Sequence, residues 1–230
     1  MKPFARTNLT PRMVAEKAGS VTGVRPNPRA LWREDATFDR LFSRASEQTL
    51  VNRQRCFTLY QSALQAISVD GDVAEVGVYR GGTASLLRSC FDGSGRCLHL
   101  FDTFGGMPEV DDARDKHEQG DFADTSLAEV RAFVGTGEDV AYHQGFFPET
   151  ATPVEGSRFA FVHVDADIYL SVLSSCEFFY PRLSSGGIMV FDDYGFRSCP
   201  GARSAVDEFF APLPEVPLYL GTGQCIVHKL

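Results

Sequence analysis

The stretch Val73-Ala-Glu-Val-Gly-Val-Tyr-Arg-Gly-Gly-Thr-Ala-Ser-Leu-Leu87 decides the fold. Val73 to Gly77 reads as a short strand, and the chain then turns at Gly81-Gly82 into a helical stretch through Leu86 and Leu87. A strand that feeds a helix through a glycine-rich turn is the opening unit of an α/β sheet. Gly77 and Gly81 would let backbone pass close to a ligand at a helix N-terminus, where free N–H groups and the helix dipole favour a carboxylate or phosphate. A tight turn without a ligand fits the same glycines. The spacing is not the G-x-G-x-x-G of dinucleotide binding.

Outward from this unit the alternation continues. Upstream, Leu50, Phe57, Tyr60, Leu64 and Ile67 recur at helical spacing, and Asp70-Gly71 ends the helix. Downstream, strands are expected at Cys97 to Phe101, Asp139 to His143, Phe159 to Val164, Gly187 to Phe191, Pro217 to Leu220 and Gln224 to His228. The runs at 159–164 and 187–191 are almost wholly apolar, as strands covered on both faces by helices require. Only Gly221-Thr222-Gly223 joins the last two strands, which forces an antiparallel hairpin. The expectation is therefore an α/β fold with a seven-stranded, mostly parallel sheet, one antiparallel strand, and helices on both faces. Ser126-Leu-Ala-Glu129 is a capping box that opens the helix before the third strand.

The 230 residues, 43% hydrophobic and 23% charged, suit a globular chain and hold no run near the roughly 18 apolar residues of a membrane span. The net charge of −8 argues against broad neutralisation of nucleic-acid phosphates. Residues 1 to 33 carry +6, leaving −14 on the rest, and the arm is broken by Pro3, Pro11, Pro26 and Pro28. It lacks a secretory apolar core, so the cytoplasm is the expected location. We divide the chain into an N-terminal arm or lid, 1–44, and a main domain, 45–230. The six cysteines form no C-x-x-C pair and read as reduced and buried.

The acids are the residues most able to carry chemistry. Asp102 ends the second strand, where a carboxylate can accept both hydroxyls of a ribose, or simply cap the turn-rich Thr103 to Pro108 segment. Asp165 and Asp167 follow the fourth strand, and Asp192 and Asp193 follow the fifth. Ligands of open α/β sheets bind at the carboxyl ends of the strands. Four carboxylates converging there repel one another unless a cation neutralises them, and an all-oxygen set suits Mg²⁺, Mn²⁺ or Ca²⁺ rather than Zn²⁺. Taken singly, each acid also reads as a helix cap or a solvated side chain. His163 shares a strand face with Asp165 and reads as a buried core histidine. His99, His117 and His143 show no metal-site spacing.

Six motifs in order carry a resemblance: Glu75-Val-Gly-Val-Tyr-Arg-Gly-Gly82, Phe101-Asp-Thr-Phe-Gly-Gly-Met-Pro108, Gly145-Phe-Phe-Pro-Glu-Thr150, His163-Val-Asp-Ala-Asp-Ile-Tyr169, Asp192-Asp-Tyr194 and Ala205-Val-Asp-Glu-Phe209. From about residue 50 to 210 the sequence resembles the macrocin O-methyltransferase family, the metal-dependent sugar methyltransferases of antibiotic biosynthesis. The resemblance implies a Rossmann-like class I methyltransferase fold, S-adenosylmethionine as cofactor, and a small-molecule glycoside or sugar as acceptor. It implies that Glu75, Gly77 and the Gly81-Gly82 turn, with Tyr79 and Thr83 beside them, hold the methionine and ribose part. Asp102 would take the ribose hydroxyls, and Gly145, Phe146 and Phe147 would lie beside the adenine. Asp167, Asp192 and Asp193 match the Mg²⁺ ligands, and Asp165 matches the general base and also borders the cofactor. The resemblance also suggests a homo-oligomer.

Two departures stand out. Tyr79 replaces the family's usual Trp, and the segment Gly195-Phe-Arg-Ser-Cys-Pro-Gly-Ala-Arg-Ser204 replaces a shorter link. A catechol or phenol methyltransferase, a cephalosporin-hydroxylase-like relative and a non-catalytic member share the same scaffold. The arm and the acidic loop from Glu109 to Asp124 are candidate lids over the acceptor site.

Overall fold

The structure, a computed structural model, describes residues 30–230. Helices α1 (Ala36–Ala45) and α2 (Arg53–Ala66) precede β1 (Asp72–Val76), which leads into α3 (Gly82–Cys90) and β2 (Leu98–Asp102). There follow α4 (Leu127–Val134), β3 (Val140–Gln144), β4 (Phe159–Val164) and α5 (Tyr169–Phe179). The chain closes with β5 (Leu183–Phe191), α6 (Pro200–Phe210), β6 (Leu218–Tyr219) and β7 (Cys225–His228). The seven strands form one sheet in the order β3-β2-β1-β4-β5-β7-β6. All pairings are parallel except those of β7, which runs against both β5 and β6.

Helices cover both faces because the central strands are apolar on both. One core holds Phe38, Phe57, Leu59, Leu86, Leu100 and Phe161; the opposite one holds Phe101, Val162, Phe179, Met189, Phe210 and Val227. Every residue of β4 is buried, as its uninterrupted apolar run requires. Ser126 caps α4, its Oγ accepting from the Glu129 N–H and donating to Glu129 Oε2. The six cysteines are free, and four are buried.

Three expectations need correction. Helix α2 buries Cys56, Leu59, Ala63 and Ala66 beside Phe57 and Tyr60, whereas Leu64 and Ile67 are each 41% exposed and Leu50 is 69% exposed. Close packing of the helix on the sheet selects the small residues, which a search for large apolar side chains passes over. Strand β5 begins at Leu183, four residues before the expected Gly187, because Leu183 pairs with Phe159 and the Gly186 N–H reaches the Lys229 carbonyl at 2.8 Å. The division after residue 44 falls inside α1, whose Phe38 is fully buried and packs edge-on to Phe57 at 4.9 Å. The rest of the arm, residues 1–29, lies outside the described residues.

Strand order reverses between β1 and β4, and crevices of open α/β sheets form at that point. The ladder runs one residue beyond the strands there. Gly145 N–H bonds the Asp102 carbonyl, Gly77 N–H that of Phe101, Asp165 N–H that of Val76, and Asp192 N–H that of Val164, at 2.9 to 3.0 Å. Residues distant in sequence thus emerge side by side along one sheet edge.

Candidate active site

A cavity of about 210 Å³ sits on this edge. Its wall includes Gly77, Tyr79, Thr83, Asp102, Gly145, Phe146, Phe147, Asp165, Asp167 and Asp193. Thr49, Arg55, Met107 and Phe122 complete it from α2, the loop before it and the segment after β2. Four described residues other than glycine have left-handed backbone: Tyr79, Phe104, Phe122 and Asp167. Three of them line the cavity, and Phe104 lies between Thr103 and Gly106, which do. Strained backbone gathers where the surroundings over-determine it, which is characteristic of functional sites.

The glycine-rich turn is built by the protein's own packing. A Cβ on Gly77, at φ +84°, would lie 1.9 Å from the Asp165 carbonyl oxygen. At Gly82 it would meet Thr49 and the Ala45 carbonyl at 2.5 and 2.6 Å, and at Gly81 it would meet Val134 at 2.6 Å. Close packing within the chain alone therefore leaves no room for a side chain at these three positions. Asp102 fastens the same turn: Oδ2 accepts from the N–H groups of Val78 and Tyr79 at 2.7 and 2.9 Å, and Oδ1 from Phe104 at 2.6 Å. The turn-capping role and a place on the cavity wall are therefore combined in one carboxylate. Tyr79 ties the turn to the acidic loop, its hydroxyl donating to Asp124 at 2.9 Å.

Glu75 and Phe147 are set deeper than Gly77 and Tyr79 of the turn. Glu75 is fully buried behind the wall, its Oε1 2.8 Å from His163 Nδ1, and burial pushes its carboxyl up to about 8. His163 is itself fully buried, and desolvation lowers its basicity. Phe147 stacks on Phe179 at 5.3 Å and edges Phe101 at 5.2 Å, so most of the ring belongs to the core.

The four acids divide differently from the expected set. Ligand oxygens of Asp165, Asp192 and Asp193 lie within 4.8 Å of one another, whereas Asp167 groups with His117 and Cys199. Arg55, which the sequence reading missed, enters the first group. Its guanidinium contacts Asp192 and lies 3.4 Å from Asp193 and 4.0 Å from Asp165, over the Phe196 ring at 4.6 Å. Gln224, also missed, donates to Asp192 Oδ1 at 2.6 Å. Neither carries a local signal, since Arg55 sits on a helix beside other polar residues and Gln224 lies between a glycine turn and the short β7.

One guanidinium does not neutralise three carboxylates. Asp192 is fully buried, Asp193 is 7% exposed, and Asp193 Oδ2 is buried without a hydrogen-bond partner. Burial, followed by the charge of Asp193, holds the Asp165 carboxyl well above the usual carboxylate range. A clustered, oxygen-only, under-neutralised donor set fits a hard divalent cation. Asp167 is likewise pushed up, to about 7, by burial and by Asp193.

The acidic loop is fastened across the site. Asp115 Oδ1 accepts from the Tyr169 N–H at 2.9 Å, and Lys116 donates to the Arg197 carbonyl at 2.7 Å. Its Phe122, with Met107 and Pro108 just before the loop, forms cavity wall.

A doubly covered, mostly parallel sheet with a reversed penultimate strand and a carboxylate-lined switch point defines a Rossmann-like enzyme fold, and solved structures that share it include O-methyltransferases. The O-methyltransferase NovP superposes with a TM-score of 0.70 at 26% identity, covering 79% of this chain and 82% of its own. The calicheamicin methyltransferase CalS11 superposes at 0.68 with 17% identity, covering 99% of both chains. The profile described as Macrocin-O-methyltransferase (TylF) matches residues 31–212, and the chain belongs to that family. Among curated relatives, the demethyldecarbamoylnovobiocin O-methyltransferase of Streptomyces niveus is 30% identical over 73% of this chain and 69% of its own. The mycinamicin III 3''-O-methyltransferase of Micromonospora griseorubida is 34% identical over 70% and 66%. A tetracenomycin-pathway rhamnosyl 4'-O-methyltransferase of Streptomyces olivaceus is 34% identical over 63% and 59%. The chain thus spans about three fifths to two thirds of the length of these relatives. No helix among the described residues is long and apolar enough to cross a membrane.

Proposed function

We propose that this protein is a metal-dependent O-methyltransferase that moves the methyl group of S-adenosylmethionine to a sugar hydroxyl of a glycosylated small molecule. The observation that carries the reading is the clustering of Asp165, Asp192 and Asp193 within 4.8 Å at the cavity of a family member whose relatives methylate glycosylated antibiotics. Asp102 lies on the wall beside the first turn, suited to ribose hydroxyls, with Gly77, Tyr79 and Thr83 around it. Phe146 and Gly145 offer an apolar edge for the adenine.

A divalent ion, Mg²⁺ by the chemistry of the donors, would be held by Asp165, Asp192 and Asp193 and would make a nearby hydroxyl more acidic. Asp167, beside this group, then serves as the proton acceptor. It lines the cavity, its left-handed backbone at φ +56° is fixed between β4 and α5, and its raised carboxyl matches a base that works near neutral pH. The resemblance pairs the roles the other way, with Asp165 as base and Asp167 beside Asp192 and Asp193 on the metal; the exchange proposed here rests on the grouping of the side chains. As the hydroxyl oxygen bonds the methyl carbon, the carbon–sulfur bond breaks with its electron pair passing to sulfur, and the hydroxyl proton passes to Asp167. Holding the acceptor oxygen in line with that bond supplies much of the rate.

The test is calorimetric titration of S-adenosylhomocysteine, followed by methylation assays on deoxysugar glycosides and catechols with Mg²⁺ or EDTA. Micromolar binding that falls in Asp102→Ala, with EDTA-sensitive methylation of a glycoside, is the expected result. No binding refutes the cofactor assignment. Methylation untouched by EDTA refutes the metal, and turnover of catechols alone refutes the sugar.

A further inference from the structure

Glu75, His163 and Asp192 form a polar row across the sheet, and all three side chains are fully buried. Glu75 lies opposite His163 across β1 and β4, His163 lies opposite Val190 across β4 and β5, and Asp192 follows two residues after Val190. Side chains alternate between faces along a strand, so the three project onto one face, where Val190 shares a core with Cys56 of α2. One step back from the carboxyl edge the same face carries Val73, Phe161 and Ile188 in register, all in that apolar core. The face turns polar only where it meets the carboxylates.

We propose that Glu75 and His163 are positioning residues for the cation site, holding Asp192 so that one of its oxygens stays free for the ion; this rests on the metal reading of the carboxylate group. Glu75 Oε1 lies 2.8 Å from His163 Nδ1 and fixes the ring, whichever of the two carries the shared hydrogen. The other ring nitrogen, Nε2, is buried without a hydrogen-bond partner and lies 3.8 Å from Asp192 Oδ1. A shift of roughly 1 Å brings the two within hydrogen-bond distance, with the Nε2 hydrogen donated to the carboxylate. Gln224 Nε2 already donates to the same oxygen at 2.6 Å. Asp192 Oδ2 faces the other way, to the Arg55 nitrogen that also lies 3.4 Å from Asp193 and 4.0 Å from Asp165.

Stability alone does not account for the pair. Replacing a buried polar pair by apolar residues of similar volume is often neutral or stabilising, and apolar residues fill the same face one step away. Groups behind the ligands of a metal orient them and tune their charge, and losing one typically costs about 10- to 100-fold in affinity. Donors gathered on Oδ1 do both for Asp192. They keep the carboxylate from rotating Oδ2 out of the group, and they disperse part of its charge. The support acts through Asp192, whichever acid after β4 completes the ion's ligands.

The test measures Mn²⁺ binding to the full chain by electron paramagnetic resonance, beside denaturant unfolding in EDTA. The double variant Glu75→Met with His163→Leu removes both polar groups and keeps most of the volume. It should unfold in EDTA at the parent's midpoint or above, and bind Mn²⁺ about 10- to 100-fold more weakly. His163→Gln, whose amide nitrogen can donate from near the place of Nε2, should bind Mn²⁺ within about threefold of the parent. In the parent labelled with ¹⁵N-histidine, Mg²⁺ should shift the His163 Nε2 resonance and leave those of His143 on β3 in place, which needs no variant to fold. Parent-like Mn²⁺ binding in the double variant, a loss in His163→Gln as large as the double variant's, or an unmoved Nε2 resonance at saturating Mg²⁺ overturns the support role alone. A parent that binds no Mn²⁺ overturns the metal reading and the support role together.

Discussion

Arg55 of α2 pairs with the fully buried Asp192 at the end of β5, so a helix packed on one face of the sheet supplies the positive charge for the carboxylates on its edge. Gln224 strengthens the pair, donating both to Asp192 and to the Arg55 carbonyl, at 2.6 and 3.2 Å respectively from its single Nε2.

Removing that charge should destabilise the protein in a way that metal repairs. Arg55→Met keeps most of the volume but leaves three carboxylates facing one another, and breaking a buried pair costs about 3 to 5 kcal/mol. With EDTA present, the variant should unfold at clearly lower denaturant than the parent. Saturating Mn²⁺ should raise its midpoint by more than it raises the parent's. Equal stability of the two proteins in EDTA would show that the pair contributes nothing.

Asp165→Asn and Asp167→Asn should separate binding from chemistry. The first removes a charge from the three-carboxylate group and should weaken Mn²⁺ binding by at least about tenfold. The second should leave Mn²⁺ and S-adenosylhomocysteine binding within about threefold while lowering kcat by about 10² to 10⁴. Calorimetry and single-turnover assays read the two effects. The opposite pattern would restore Asp165 as the proton acceptor.

Gly77 is the position where a methyl group is least tolerable. Its Cβ would fall 1.9 Å from the Asp165 carbonyl oxygen, on a left-handed backbone at φ +84°. Gly77→Ala should cost about 2 to 5 kcal/mol, combining overpacking with the left-handed penalty. Gly93→Ala serves as control, because φ is +70° but a Cβ there meets nothing within 4 Å, and it should cost only about 1 to 2 kcal/mol. Denaturant midpoints of the two variants compare these costs directly.

Acid should weaken the fold through a histidine pair on β2 and β3. His143 Nε2 lies 3.1 Å from His99 Nδ1, His143 stacks on Phe101 at 4.3 Å, and His99 Nε2 lies 3.4 Å from Asp72 Oδ2. Burial, then the nearby His99, pushes His143 down to about 4, and burial also lowers His99. A histidine harder to protonate when folded binds more protons when unfolded. Its effect is absent above the unfolded value of about 6.5 and destabilises increasingly as pH falls toward 4. His143→Phe should therefore lose less stability than the parent between pH 7 and pH 4.5. An identical loss in the two proteins would remove His143 from the acid response.

Much of the fold follows from local patterning. The apolar run at 159–164 needs two covered faces, and the three-residue Gly221-Thr222-Gly223 link admits only a hairpin; both features stand in the structure. The acids at the ends of β2, β4 and β5 were legible for the same reason, because a parallel ladder brings strand ends to one edge whatever the side chains do.

Which acids share a site was decided only in three dimensions. Asp165 and Asp167 are two residues apart, yet the left-handed turn at Asp167 sends it to His117 and Cys199 while Asp165 stays with Asp192 and Asp193. Arg55 reads locally as one more solvated helix cation, and His117 as one residue of an acidic loop. Their places depend on how α2 and that loop pack against strand ends far along the chain. Periodicity reports which face of an element is buried, so the sequence determined the sheet and the edge where chemistry gathers. Partners contributed by different elements depend on the docking of those elements, and only the tertiary structure decided them.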